Sequence, residues 1–177
     1  MITKQQYESA VKKALGYFKA AGIKVTDAEK ARIEVADFGL SDLDNIGLEV
    51  LTYVNTERVC AKELIMFPYQ TCPEHRHVDS AAARGKEETF RCRLGKVWLY
   101  VEGAPTPKIK ARKINSTITV FHEIELNEGE QYTLMPNTKH WFQGGPEGAV
   151  VSEFSTRSSD ETDIFTDVKI KRTPEIA

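Results

Sequence analysis

Four side chains in two stretches of this sequence have the types and spacings that hold a transition-metal ion. In PEHRHVDSAAARGKEETFRCRLG, His75 and His77 stand two residues apart, so on an extended strand both imidazoles leave the same face and can reach one ion. Glu88 follows in a second strand-like run. It shares its parity with Phe90, Cys92 and Leu94, while Thr89, Arg91 and Arg93 take the other, so its carboxylate is expected to point inward with the apolar chains. His140 lies downstream in GEQYTLMPNTKHWFQGG, after a Pro-Asn-Thr-Lys turn. The chain has four histidines, and three of them sit in these two stretches. Three imidazoles and a carboxylate make a borderline donor set that suits Mn(II), Fe(II), Co(II), Ni(II) or Zn(II). On a six-coordinate ion such a set leaves two positions open, the arrangement of a catalytic rather than a closed structural site. Adjacent open positions suit a bidentate ligand such as an α-hydroxy carbonyl.

Other groups could serve the same centre. In VVSEFS, Glu153 sits in the middle of an apolar strand, where a carboxylate is costly unless it is used or paired. Burial favours the neutral form of a carboxylate, which suits proton transfer. Lys86, two residues before Glu88 and of the same parity, could polarise a ligand oxygen. Trp141 and Phe142 flank His140 and would either stack on a ring or fill the core. In the acidic run Asp160, Glu161, Asp163, Asp163 is assigned to the pocket and the rest to a solvated loop. His122 has the inward parity of Ile118, Val120 and Ile124 and reads as a core or mouth histidine.

The elements that must position these groups follow from periodicity. Thr3 with Gln6 makes a capping box ahead of an apolar stripe, Tyr7, Val11, Ala14, Leu15, Phe18 and Ala21, at helical spacing, and Gly22 ends it. Thr26 with Glu29 repeats the box for a shorter piece reaching Ile33. From Gly39 onward the period is two, with turn residues every eight to twelve positions, the spacing of an antiparallel sandwich or barrel. GLEVLTYVN and VCAKELIMFPYQ are the first clear strands. VWLYVEG is expected to form a hairpin with the Glu88 strand across a Gly95-Lys96 turn, and AVVSEFST to follow a Gly144-Gly145-Pro146 turn. The expected organisation is one domain: a helical segment over 1–34, a barrel over 39–155 and a surface tail over 156–177.

With 177 residues the chain can bury a sizeable core without disulfides. A net charge of -2 with interspersed signs leaves no footprint for nucleic acid, and the basic KIKARKI run reads as solvated. No apolar run reaches the length of a membrane span. The charged N-terminal stretch lacks the apolar segment of a signal peptide, so a cytosolic protein is expected. Cys60, Cys72 and Cys92 lack CxxC spacing and read as free thiols.

HxH, a Glu with six residues between it and Gly95, then Gly129, Pro136 and His140 resemble the two-part signature of the cupin superfamily. That implies an all-β, cupin-type β-barrel (jelly roll) with the short N-terminal helices packed outside. Thr138 stands where that signature has a Gly, and the interval to the histidine is one residue shorter. Together with IEVADFGL and DETD, these stretches resemble the D-lyxose isomerase family of bacterial cupins from about residue 30 to about residue 170. The resemblance implies His75, His77, Glu88 and His140 as ligands of a divalent ion, typically Mn(II), with Co(II), Fe(II) or Zn(II) as substitutes. It implies Glu153 as the acid/base acting on a small-molecule sugar, around which Lys86, Trp141, Phe142 and Asp163 are placed by their own positions in the sequence, with Lys86 also a candidate catalytic group. The reaction would interconvert D-lyxose with D-xylulose, and D-mannose with D-fructose, in a homodimer. An Fe(II) dioxygenase and a non-catalytic sugar-binding cupin are the alternatives. A phosphosugar isomerase is a nearer one, for which the parities of Arg84, Lys86, Arg91 and Arg93 decide nothing.

Overall fold

In the computed structural model, residues 1–81, 84–159, 162–173 and 175–177 are described. The predicted positions Asp160 and Glu161 therefore lie outside the described residues. The first helix, α1 (Lys4–Ala20), begins at the expected capping box, with Gln6 N–H donating to Thr3 Oγ1 and Thr3 N–H to Gln6 Oε1. Its buried stripe is Ala10, Val11, Ala14 and Phe18. α2 (Asp27–Lys30) is one capped turn.

Among the described residues nine strands follow: β1 (Glu34–Ala36), β2 (Leu48–Asn55), β3 (Cys60–Met66), β4 (Thr71–Arg76), β5 (Glu88–Val101), β6 (His122–Asn127), β7 (Gln131–Leu134), β8 (His140–Ser155) and β9 (Ile164–Phe165). They pair antiparallel in the order β1-β2-β3-β8-β4-β9, and β5 closes against β6, β7 and β8. β8 is the spine of this curled sheet. Its first part pairs with β4 and the end of β5, and its last part pairs with β3 and the start of β5.

Two apolar layers result from strand alternation. The interior holds Leu64, Phe90, Cys92, Leu99, Phe142 and Val151. The outer layer sets Leu51, Ile65 and Val150 against Val11, Ala14 and Phe18 of α1. Each fully buried Phe, Val or Leu contributes about 1.5–3 kcal/mol, and this burial holds the helix on the barrel. A third cluster, Trp98, Tyr100, Trp141 and Ile118, packs under the 104–121 loop.

Several expectations need correction. β5 is one continuous strand, not a hairpin at Gly95-Lys96. Its register shifts between Cys92 and Leu94 and between Gly95 and Val97, so the inward set changes from Phe90 and Cys92 to Val97, Leu99 and Val101, and Leu94 joins the outer layer. Gly95 has φ 72°, and a Cβ there would stand 2.3 Å from Gly148 O. A positive-φ glycine serves a bulge as well as a turn, and the sequence signal is the same for both. β8 likewise runs through Gly144-Gly145-Pro146, where its pairing passes from Gly144↔Val97 to Ala149↔Gly95. His122 is exposed and shares a hydrogen bond with Ala104 O at 3.0 Å, because β6 starts only there and Ile118 and Val120 lie in the preceding loop. The C-terminal segment is more than a surface tail: β9 pairs with β4, and Phe165 packs against the interior. Cys60, Cys72 and Cys92 are free and buried, as expected.

Candidate metal centre

β4 carries His75, and His77 follows at its end. β8 opens with His140, register-paired with His75. The turn before His140 places its left-handed residue at Asn137, φ 65°, one position ahead of Thr138, and Asn tolerates that region. Asn137 N–H donates to His77 O at 2.9 Å and ties the two histidine stretches together. Gly85 lies so close that a Cβ would stand 2.2 Å from His77 O, so only glycine lets this loop lead into β5 and Glu88.

The three imidazoles are oriented alike. Nδ1 of His75 is 2.8 Å from Pro73 O, Nδ1 of His140 is 2.9 Å from Thr138 O, and Nδ1 of His77 is 2.5 Å from Asp163 Oδ1. Each acceptor oxygen fixes the proton on Nδ1 and leaves an Nε2 lone pair, and the ligand atoms of all three rings lie within 4.8 Å of one another. Glu88 Oε1 is 3.1 Å from Nε2 of both His77 and His140. His140 Nε2 is buried and makes no hydrogen bond. With both rings neutral, the Nε2 lone pairs of His77 and His140 face one carboxylate oxygen and repel it unless a cation lies among them, so these residues fit a divalent ion. The carbonyl and carboxylate behind the rings are the outer partners such ligands have.

The electrostatics agree. Burial, with His140 and His77 close by, holds the His75 ring well below its ordinary value. Burial also opposes charge on His77, but Glu88 and Asp163 outweigh it and push that ring up to about 9. Burial would raise Glu88, yet the Lys86 ammonium and His77 keep it well below the usual carboxylate range. At His77 and Glu88, in contrast to His75, the surroundings favour positive charge.

Beside this cluster lies a second one. Lys86 Nζ bridges Glu88 Oε2 at 2.8 Å and Glu153 Oε1 at 3.1 Å, and all three side chains are buried. His75, His77, Lys86, Glu88, Glu153 and Asp163 line one cavity, floored by Phe38, Phe90, Phe142 and Phe165. His77, Lys86 and Asp163 also face a wider vestibule of about 560 Å³, through which solvent reaches them. Of the predicted site residues, Trp141 is placed elsewhere. Its strand alternates, so Trp141 points away from His140 and Phe142, stacks on Tyr100 with ring centroids 3.9 Å apart, and donates to Val120 O. Phe142 stays in the cavity wall, and Asp163 is the partner of His77 rather than a group aimed at open space. Arg84 and Lys86 face the vestibule, whereas Arg91 and Arg93 lie on the far face of β5, bonded to Gln131 and Ser152.

Sequence reasoning missed Lys62, Phe165 and Arg172, which also line the cavity. Lys62 had a readable signal: in VCAKELIMF it shares parity with Cys60, Leu64 and Met66, a charge in an inward apolar row. Arg172, which pairs with Glu34, and Phe165 come from a short, polar C-terminal stretch with no periodicity to read.

Fold and site define a cupin with a candidate metal centre of three histidines and a glutamate. A family model described as D-lyxose isomerase matches residues 19–177, and the chain belongs to that family. It is 58% identical over 179 residues to a D-lyxose/D-mannose isomerase of Thermosediminibacter oceani, with 99% of each chain covered. It is 59% identical over 162 residues to a D-lyxose ketol-isomerase of Cohnella laeviribosi, covering 90% of this chain and 89% of that one. Among solved structures, the L-ribose isomerase of Cellulomonas parahominis superposes with a TM-score of 0.77 at 16% identity, covering 99% of this chain and 98% of that chain. The L-ribose isomerase of Acinetobacter sp. DL28 in complex with L-ribose gives the same values. At that identity the likeness supports the fold alone. No helix is long and apolar enough to cross a membrane among the described residues.

Proposed function

We propose that this chain is a divalent-metal-dependent aldose-ketose isomerase acting on free sugars, converting D-lyxose to D-xylulose and D-mannose to D-fructose. The observation that carries the reading is the buried cluster of three outward-braced imidazoles and Glu88, of which His75, His77 and Glu88 line one cavity with Glu153 and Lys86. The named activity of relatives 58% identical over the full length supplies the substrate class. His75, His77, Glu88 and His140 would hold the ion, with Mn(II) assigned first and Co(II), Fe(II) or Zn(II) as substitutes. A divalent ion there supplies Lewis acidity that stabilises negative charge developing on the sugar oxygens.

The rest of the chemistry belongs to the chain. Glu153 takes the proton from C2, the C2–H electron pair becomes the C1–C2 double bond, and the C1 carbonyl π pair moves onto O1, which takes up a proton to give a cis-enediol; Glu153 then returns its proton to C1 as O2 gives up its own proton and becomes the ketose carbonyl, so that the net transfers are C2 to C1 and O2 to O1. Lys86 bridges the two buried carboxylates with its single positive charge and fixes the direction in which Glu153 points. The aromatic floor excludes water from one side of the reacting carbons. Phe142 contributes to that floor, and Asp163 acts by orienting His77. The homodimer implied by the family resemblance belongs to the same proposal, as does a cytosolic setting.

The test is turnover of a panel of free pentoses and hexoses by metal-stripped protein reloaded with each ion. The expected outcome is conversion of D-lyxose to D-xylulose that returns with Mn(II) and is lost in His77→Ala. Folded, metal-loaded protein that turns over no free sugar would sink the reading.

A further inference from the structure

Glu153 is met by more than one ammonium group. Lys62, on β3, is register-paired with Glu153 of β8, and its side chain is 5% exposed. It lines the same cavity as Lys86, Glu88 and the first two histidines. Its Nζ donates to Ser158 Oγ at 2.9 Å and stands 3.9 Å from Glu153 Oε1. That same oxygen accepts from Lys86 Nζ at 3.1 Å and from Ser155 Oγ at 3.3 Å. Three groups from three places in the chain thus converge on Oε1, and among the described residues nothing bonds Oε2.

A carboxylate tethered through one oxygen presents the other. Placing an ammonium inside an apolar row is costly unless a negative partner meets it, and the β3–β8 register brings Glu153 to that place. Ser158 then limits where the long lysine side chain can reach, so Lys62 opposes one oxygen of Glu153 and leaves the cavity centre open.

We propose that Lys62, steadied by Ser158, is a positioning residue of the isomerase reaction, which pins Glu153 by Oε1 so that Oε2 faces the sugar's C1–C2 bond. The inference rests on the isomerase reading above. Lys62 acts through Glu153 and is not itself required to touch the sugar. Misplacement of a transfer group by an ångström costs about 100-fold in rate, which sets the size of the expected effect.

The experiment compares Lys62→Met, Lys62→Arg and Ser158→Ala with the unaltered protein, each Mn(II)-loaded, on D-lyxose. Metal content and melting temperature are measured alongside. The expected result for Lys62→Met is a kcat lower by about 100-fold with KM within about threefold and metal content unchanged. Lys62→Arg should recover about tenfold of the loss, and Ser158→Ala should lose only about fivefold, because the ammonium remains. A Lys62→Met protein with kcat within about threefold of the parent overturns the proposal, as does a loss fully explained by unfolded or metal-free protein. A risen KM with unchanged kcat also overturns it, by making Lys62 a sugar-binding group instead. If the parent protein itself turns over no free sugar, the isomerase reading falls and takes this proposal with it; if only the variants behave as the parent does, the isomerase reading stands and the proposal alone fails.

Discussion

Of the places where this molecule buries carboxylates, two treat them in opposite ways. Inside the barrel, Glu88 and Glu153 are met by Lys86, Lys62 and the imidazoles, and Glu88 is held well below the usual carboxylate range, burial notwithstanding. On the opposite face of β2 from Leu48 and Val50, Glu49 is buried beside α1. It receives one hydrogen bond, from the neutral amide of Gln70 at 3.3 Å, and its Oε2 has no partner. Burial pushes that carboxyl up to about 8, against weaker opposing effects from Gln70 and Lys13. Burial alone therefore does not make a reactive acid. In the barrel, strand register brings cations to both carboxylates, and Glu88 is kept ionised in a cavity beside the wider vestibule. In the helix seam the group is left to hold its proton as a neutral filler.

The comparison is broken most severely at Glu153. Glu153→Gln keeps the shape and the hydrogen-bonding oxygen but cannot accept a proton, so kcat should fall by roughly 1,000-fold or more, with the metal retained. Kinetics with metal analysis on the same sample decide this. Near-normal turnover would remove Glu153 from the reaction and reduce the barrel cluster to a structural ion network. A smaller effect is expected one bond behind the centre. Asp163→Asn removes the charge that braces His77 Nδ1 and should weaken metal affinity by about 10- to 100-fold, while excess metal restores most of the turnover. Metal titration followed by activity reads both quantities. An unchanged affinity would mean that the backbone holds His77 without help.

The legibility of each region in the sequence follows from the same physics. Glu88 with Phe90 and Cys92, and the i,i+2 histidine pair, are local patterns that parity alone places on the right face, up to the bulge that sends Leu94 to the outer layer. Glu153 stood out because a charge interrupted an apolar strand, and Lys62 carried the same mark on β3. The misread positions are those where tertiary packing changes what a local signal means. Gly95 and Gly144 mark bulges in long continuous strands rather than turns, and after the β5 bulges the inward parity is reversed. Trp141 was assigned to the pocket through its neighbour in sequence, yet adjacent strand residues point to opposite faces. The contributions of Asp163 and Phe165 depend on β9 docking on β4, a two-strand contact between distant segments that no period-two pattern encodes. Glu49 alternates like any half-buried strand residue, and only the placement of α1 shows that its carboxylate is covered.

Glu49 gives the mildest test, and it reads the seam without touching the barrel chemistry. Its value in the fold, about 8, lies above its ordinary 4.5, so between those pH values the folded protein keeps the proton while the unfolded chain gives it up. The unfolded state then binds fewer protons, so this group's contribution to stability is complete below about 4.5 and is lost as pH rises through about 8, by up to about 1.4 kcal/mol per pH unit. Glu49→Gln is neutral at every pH and nearly the same shape. It should match the parent near pH 5 and melt several degrees higher near pH 9, at about 2–4 °C per kcal/mol for a chain of this size. The comparison is made by thermal melts of the two proteins across that range at equal metal load, so that titrations common to both, His77 included, cancel in the difference. Parallel curves would mean that Glu49 ionises in the fold at its ordinary value, with Lys13 close enough to serve it as the lysines of the barrel serve Glu153.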